Sequence, residues 1–321
     1  MITLTQSRID LFSKRPITTR GIPQIAPRIP IDDSVPQEQE IAAGVRRLKR
    51  NKAPGISKMT ANHLKDWMQK ALDPEEGKEP VRQPWDTLVQ LVQHMWATGE
   101  LPTELTWSIQ VLLPKPNGGT RGIGLLEVVW KLMEAIIDTR VKNAVQFHDC
   151  LHGFRAKRGT DTAIIEAKLI QQLASLFGVA LFDCFIDLKE AFDSVDHDEA
   201  LDILEARGAG PRMLALLKLY WDMQLIVCRQ NGFHGPSFRP GRGTTQGGLF
   251  SPTFFNLVID QVIRYWLSRT IEDDPDDAAL NGLQGHTVRD LLIAFYANDG
   301  LISTRDHQWL QDSLTLLVTF F

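Results

Sequence analysis

Two short apolar stretches, far apart in the chain, each deliver an aspartate at their end, and that repetition limits what this sequence can build. In the first, Phe182, Cys184, Ile186 and Leu188 alternate with Leu181, Asp183, Phe185 and Asp187, the period of two expected of a strand with one apolar face. Asp187 then lies on the opposite face. The second stretch, Leu291 to Tyr296, reads as a buried strand that turns at Asn298-Asp299-Gly300 and returns as Leu301 to Thr304. If the strands are neighbours, two carboxylates meet. Such a pair can hold magnesium, a hard cation that takes oxygen ligands and often bridges protein carboxylates to phosphates, so the chemistry indicated is phosphoryl transfer. Asn-Asp-Gly is also a common hairpin turn with positive φ, which gives Asp299 a purely structural reading beside the catalytic one.

The rest of the chain predicts an α+β fold. Apolar spacing of three and four predicts helices over 37–50, 60–71, 85–98, 125–147 and 160–176, with one strand, Ser108 to Leu113, among them. Asp196 followed by Glu199 fits a capping box that opens a helix through Ala206, and Leu214 to Tyr220 continues as a second. Leu225 to Arg229 reads as another strand, and Ser251-Pro252 opens an apolar helix running to about Leu267. Residues 16–36 are proline-rich without helical period and predict an extended arm. Three scattered cysteines form no metal-ligand pair and no disulfide framework. No apolar run nears the roughly 18 residues a spanning helix needs. The expectation is a protein of the cytoplasm or nucleus, without a membrane segment. A net charge of −4 argues against a protein that coats nucleic acid everywhere. The distribution is uneven: positive residues gather at Arg46–Lys52 and Arg155–Arg158, negative ones at Glu272–Asp277, and either kind of run can be a solvated surface.

Phe185-Ile186-Asp187-Leu188-Lys189-Glu190-Ala191-Phe192-Asp193-Ser194-Val195 resembles the first catalytic motif of non-LTR retrotransposon and group II intron reverse transcriptases. Tyr296-Ala297-Asn298-Asp299 resembles their tyrosine, any residue, aspartate, aspartate motif. Between them, Gly243-Thr244-Thr245-Gln246-Gly247-Gly248-Leu249-Phe250-Ser251-Pro252 is similar to the family's glutamine-glycine loop and serine-proline helix start. Lys52-Ala53-Pro54-Gly55, Leu113-Pro114-Lys115-Pro116 and His152-Gly153-Phe154-Arg155 resemble further blocks, all in the family's order.

The resemblance implies a right-hand polymerase with fingers and palm. Its domains would be an extended arm at 1–36, a fingers-like helical region at 37–149 and a palm at 150–321. Residues 211–250 would partly return to the fingers, and the thumb would be absent, the chain being cut short at Phe320-Phe321. It implies RNA-directed DNA synthesis, in which a primer 3′ hydroxyl attacks the α-phosphate of a deoxynucleoside triphosphate with two magnesium ions at the site. The partners implied are an RNA template, a DNA or RNA primer and the triphosphates. Asp187 and Asp299 would be the metal ligands, with Asn298 the third catalytic position. Lys115, Arg121, Phe192 and Gln246 would contact the nucleotide, and Arg155, Arg158 and Gly247 the template. Phe192 is equally a strand-capping core residue, and a loop lysine or arginine equally an exposed charge. The departures from the family are Asn298 in place of aspartate, Gly122 in place of proline, which predicts a looser loop, and Ser57 in place of aspartate. Asn298 predicts impaired polymerisation. The alternative is an inactive remnant that still binds RNA through its basic residues.

Overall fold

The computed structural model describes residues 17–27, 29–114, 116, 120–270 and 291–320. Lys115 and the acidic run at 272–277 lie outside them. The fold is α+β, and it divides into two compact units, one from 26–145 and 204–251, the other from 17–25, 146–203 and 252–320.

The first unit opens with α1 (Glu38–Arg47), α2 (Ala61–Leu72) and α3 (Gln83–Thr98). Their apolar positions, among them Ile41, Val45, Leu64, Trp85, Val92 and Met95, are fully buried, as the helical spacing requires. β1 (Trp107–Pro114) and β2 (Thr120–Leu126) follow, then α4 (Val128–Ala144). After the excursion into the second unit come α7 (Pro211–Met223), β4 (Leu225–Gln230) and β5 (Phe233–Phe238). The four strands form one mixed sheet in the order β2-β1-β4-β5, in which β1 and β4 run parallel. Trp130 of α4 stacks on Tyr220 of α7 at 3.7 Å between ring centroids. The stretch before α1 is pinned: the buried Arg140 guanidinium donates to the Asp32 and Ser34 carbonyls and to both oxygens of Glu40.

In the second unit, β3 (Phe182–Asp187), β6 (Leu291–Tyr296) and β7 (Asp299–Thr304) form an antiparallel sheet in the order β3-β7-β6. It also holds α5 (Thr160–Phe177), which packs against β6, and α9 (His307–Leu317). α6 (His197–Ala206) and α8 (Ser251–Thr270) cross from one unit to the other. Nearly all of α8 from Thr253 to Leu267 is buried, its apolar residues together with Asn256, Asp260 and Gln261.

Several expectations need correcting. β2 was expected to be loop running into a helix from Leu125; instead the strand takes Leu125 and Leu126, and the helix starts at Val128. Gly122 pairs with Leu112 inside that ladder, so it stands in a strand where a loop was expected. The capping box at α6 forms only in part. Asp196 Oδ1 accepts from Glu199 N at 3.0 Å, but the Glu199 carboxylate is spent on Thr19 N, Thr19 Oγ1 and Arg20 Nε. No described helix is long and apolar enough to cross a membrane.

Candidate active site

The register of the small sheet decides the geometry. β3 and β7 pair antiparallel with Asp187 directly opposite Asp299, and β6 pairs with β7 so that Tyr296 faces Asp299 on its other side. Directly opposed residues in an antiparallel ladder lie about 4.5–5.5 Å apart and project to the same face. Both carboxylates are exposed there. The two sequence-distant aspartates therefore share one patch, as the alternation of each strand requires.

The turn lies one residue earlier than the Asn-Asp-Gly pattern predicts. Ala297 and Asn298 form the two-residue loop and Asp299 is already the first residue of β7, so the glycine at 300 is a strand residue. Ala297 takes the left-handed backbone, φ 54°, a conformation that costs a non-glycine residue about 1 kcal/mol or more. Its neighbour explains how the strain is held. Residues 150–152 extend the sheet beside β6: Phe295 N donates to Cys150 O, and His152 N to Phe295 O, each at 2.7 Å. The next residue, Gly153, lies so close that a Cβ on it would stand 2.7 Å from Ala297 N. Asn256 Nδ2 of α8 donates to the Gly153 carbonyl at 2.9 Å and is buried. The block His152-Gly153-Phe154 thus clamps the turn that carries Asn298 and Asp299.

Asn298 is the position where chemistry and geometry meet. Its Nδ2 donates to Asp187 Oδ1 at 3.1 Å. An amide nitrogen aimed at the carboxylate satisfies an acceptor that an aspartate would have repelled. The resemblance implies magnesium at this position. Two carboxylates in register fit one hard divalent cation. They fall short of a two-ion site, since no cluster of three or more His, Cys, Asp or Glu among the described residues is arranged to hold a metal.

Phe192 lies in a short 3₁₀ turn after β3, half-buried, stacked on Phe255 at 4.5 Å and edge-on to Phe154 at 6.1 Å. It is therefore both a packing residue and a partly open ring in the unit that carries the acids. Arg155 and Arg158 do not face outward as free cations. Arg155 donates to the His148 and Leu151 carbonyls, and Arg158 to the Asp149 carbonyl and carboxylate. Both brace the 148–151 loop.

Arg121, Gln246 and Gly247 belong to the other unit. Arg121 is exposed at the end of β2, opposite Leu113. Gln246 is half-buried and its carbonyl accepts from Gly124 N at 2.6 Å. Gly247 has φ 124°, and a Cβ there would stand 2.5 Å from the Gly124 carbonyl, so this loop needs glycine. A residue that sequence reasoning passed over supports it. Glu134 of α4 accepts from Leu249 N at 2.7 Å from a fully buried position. The available signal was an acid at a position of α4 flanked by the apolar Leu132, Met133, Ala135 and Ile136.

Burial pushes the Glu134 carboxyl up to about 7, opposed by the Leu249 N–H and the Lys131 ammonium. A carboxyl raised in the folded state favours folding fully below its ordinary value and loses that contribution as pH climbs through about 7. Glu134→Gln keeps the Leu249 bond and removes the titration. Measured by urea unfolding, the variant is expected to gain roughly 3 kcal/mol relative to the parent between pH 5 and pH 8. A constant difference across that range would contradict a buried carboxyl.

Over residues 113–321 the chain matches the family model described as reverse transcriptase (RNA-dependent DNA polymerase). Among curated proteins it is 23% identical over 321 residues to the transposon TX1 uncharacterized 149 kDa protein of Xenopus laevis, covering 92% of this chain and 22% of the relative. It is 27% identical over 179 residues to the retrovirus-related Pol polyprotein from the type-2 retrotransposable element R2DM of Drosophila melanogaster, covering 53% and 16%. With the group II intron-encoded protein LtrA of Lactococcus lactis subsp. cremoris the identity is 23% over 156 residues, covering 48% and 24%. The chain spans under a quarter of each of these relatives.

Proposed function

The chain belongs to the reverse transcriptase (RNA-dependent DNA polymerase) family, with non-LTR retrotransposon and intron-encoded relatives, and from that premise we propose that Asp187 and Asp299 form the cation-holding centre of RNA-templated DNA synthesis. The observation that carries this reading is the ladder pairing of Asp187 with Asp299. In this reading the unit with the small sheet plays the palm and the other unit the fingers.

Asp187 and Asp299 would hold magnesium. When bound, that ion neutralises phosphate charge and favours the ionised primer 3′ oxygen. The chain's own residues do the rest. The clamp of Gly153 and Asn256 fixes the turn, so the acid pair is set before substrate arrives, and pre-set geometry is where much of phosphoryl-transfer catalysis resides. The partly open Phe192 ring would pack against the sugar of the incoming nucleotide, while Arg121 would neutralise triphosphate oxygens. The glycine-bearing loop at Gln246 would let backbone approach the nucleotide or template. The RNA template, the primer and the deoxynucleoside triphosphates are the partners this reading needs.

A second reading is favoured by one observation, the amide of Asn298 bonded to Asp187. It is a polymerase fold that holds RNA without turnover, because the acid pair is partly occupied by a neutral neighbour. Primer extension on an RNA template separates the two. The polymerase reading expects magnesium-dependent incorporation of deoxynucleotides that falls by about 10³-fold or more in Asp187→Ala. Incorporation unaffected by Asp187→Ala would sink it, whereas RNA affinity with no incorporation in any variant would favour the second reading.

A further inference from the structure

Phe154, in the second unit, has its backbone in the left-handed region, φ 58°. Glycine, asparagine and aspartate visit that region readily. A phenylalanine there is an outlier, and such strain persists only where the surroundings over-determine it. They do so here from both sides. Before it, His152 N donates to Phe295 O at 2.7 Å, and the Gly153 carbonyl accepts from the buried Asn256 amide at 2.9 Å. After it, the Arg155 guanidinium donates to the His148 and Leu151 carbonyls. Residue 154 is left to absorb the sharp turn between these two anchorages.

A phenylalanine ring is ordinarily turned into the core, yet this one is 38% exposed. It meets two other rings of the same unit. It stands edge-on to Phe192, with centroids 6.1 Å apart and planes at 85°, and it tilts against Tyr296, also at 6.1 Å. The edge-on arrangement is a favoured one for aromatic pairs. Phe192 in turn stacks on the fully buried Phe255, with centroids 4.5 Å apart. Stacking restricts the tilt of the Phe192 ring but leaves it free to slide across Phe255, and the edge contact of Phe154 opposes that slide. Tyr296 stands opposite Asp299 in the ladder, so Phe154 joins Phe192 to the hairpin that carries the second acid.

We propose that Phe154 is a positioning residue for the discrimination of deoxyribose from ribose, acting through Phe192. This rests on the polymerase reading, in which Phe192 packs against the sugar of the incoming nucleotide. A ribose differs there by a single oxygen. A ring that rejects that oxygen must be held to within about 0.5 Å, whereas a ring free to retreat admits both sugars. The left-handed backbone at 154 keeps the neighbouring ring against Phe192 instead of folded into the core.

The test is single-nucleotide incorporation by the full chain on primed RNA, read as the ratio of kcat/KM for a deoxynucleotide to that for the matching ribonucleotide. The ratio is expected to fall by about tenfold in Phe154→Gly, through a gain with the ribonucleotide, and to hold within about twofold in Phe154→Tyr. Glycine takes this backbone without strain, so Phe154→Gly is expected to fold, and to unfold at higher urea than Phe154→Ala, which keeps the strain and loses the same ring. Phe192→Ala is expected to lower the ratio further. Adding Phe154→Gly to Phe192→Ala is then expected to change nothing more, as when one residue acts through another. A ratio unaltered in Phe154→Gly, or losses that simply add in the double variant, would overturn the proposal. A second readout needs no turnover: 4-fluorophenylalanine placed at 192 is expected to give a fluorine resonance that shifts and sharpens in Phe154→Gly, and a line unmoved by that substitution would overturn the proposal as well. Incorporation absent from every chain, including one carrying Asn298→Asp, would remove the polymerase reading and this role with it, an outcome distinct from extension with an unaltered ratio.

Discussion

Replacing Asn298 by aspartate is expected to raise single-nucleotide incorporation on primed RNA by about 10²-fold, in magnesium and at saturating substrate. The physical reason is local. Asn298 Nδ2 donates to Asp187 Oδ1 at 3.1 Å, so the amide supplies one hydrogen bond where a carboxylate would supply a full negative charge at nearly the same place. A unit charge about 4 Å from another is worth roughly 4 kcal/mol at the effective dielectric of a protein surface, and more against a divalent ion. Some of this is lost to desolvation and side-chain ordering, which leaves about 3 kcal/mol, or the stated factor in rate. The same substitution has an opposite sign without metal. Two carboxylates then sit beside each other, so Asn298→Asp is expected to unfold at lower denaturant than the parent in chelator and to recover when magnesium is added. Equal incorporation rates for parent and variant, together with equal stability in chelator, would show that position 298 does not face the reacting centre.

The acid pair was legible in the sequence because one strand alternates cleanly and ends in Asp187, while the other, an apolar run, leads through its turn to Asp299. What the sequence left open was register: period two says which face Asp187 occupies, but not which residue stands opposite. The turn was misplaced for a related reason. Asn-Asp-Gly carries the chemistry of a hairpin turn, yet the structure puts the positive φ on Ala297, where Gly153 and the 150–152 segment hold it, a tertiary contact with no local signature. β2 and β5 were missed because Gly122 and Gly124 in one, and Gly235 and Pro236 in the other, depress the strand signal that β1 and β4 show plainly. Arg155 and Arg158 read as a basic cluster, and only coordinates reveal that carbonyls of the adjacent loop take up their donors. The helices of the first unit were the easiest part. Their apolar spacing, and the glycine that ends α3 at φ 71°, follow directly from composition and period.

The central claim is that the side chains of Asp187 and Asp299 act together as ligands to one divalent ion. Manganese, which takes the same oxygen ligands as magnesium and is visible by electron paramagnetic resonance, tests it on the full chain without any need for turnover. One bound manganese is expected, with an affinity that drops by about tenfold or more in Asp187→Ala and equally in Asp299→Ala, because removing either partner leaves a lone carboxylate. Manganese bound as tightly by both variants as by the parent would contradict it.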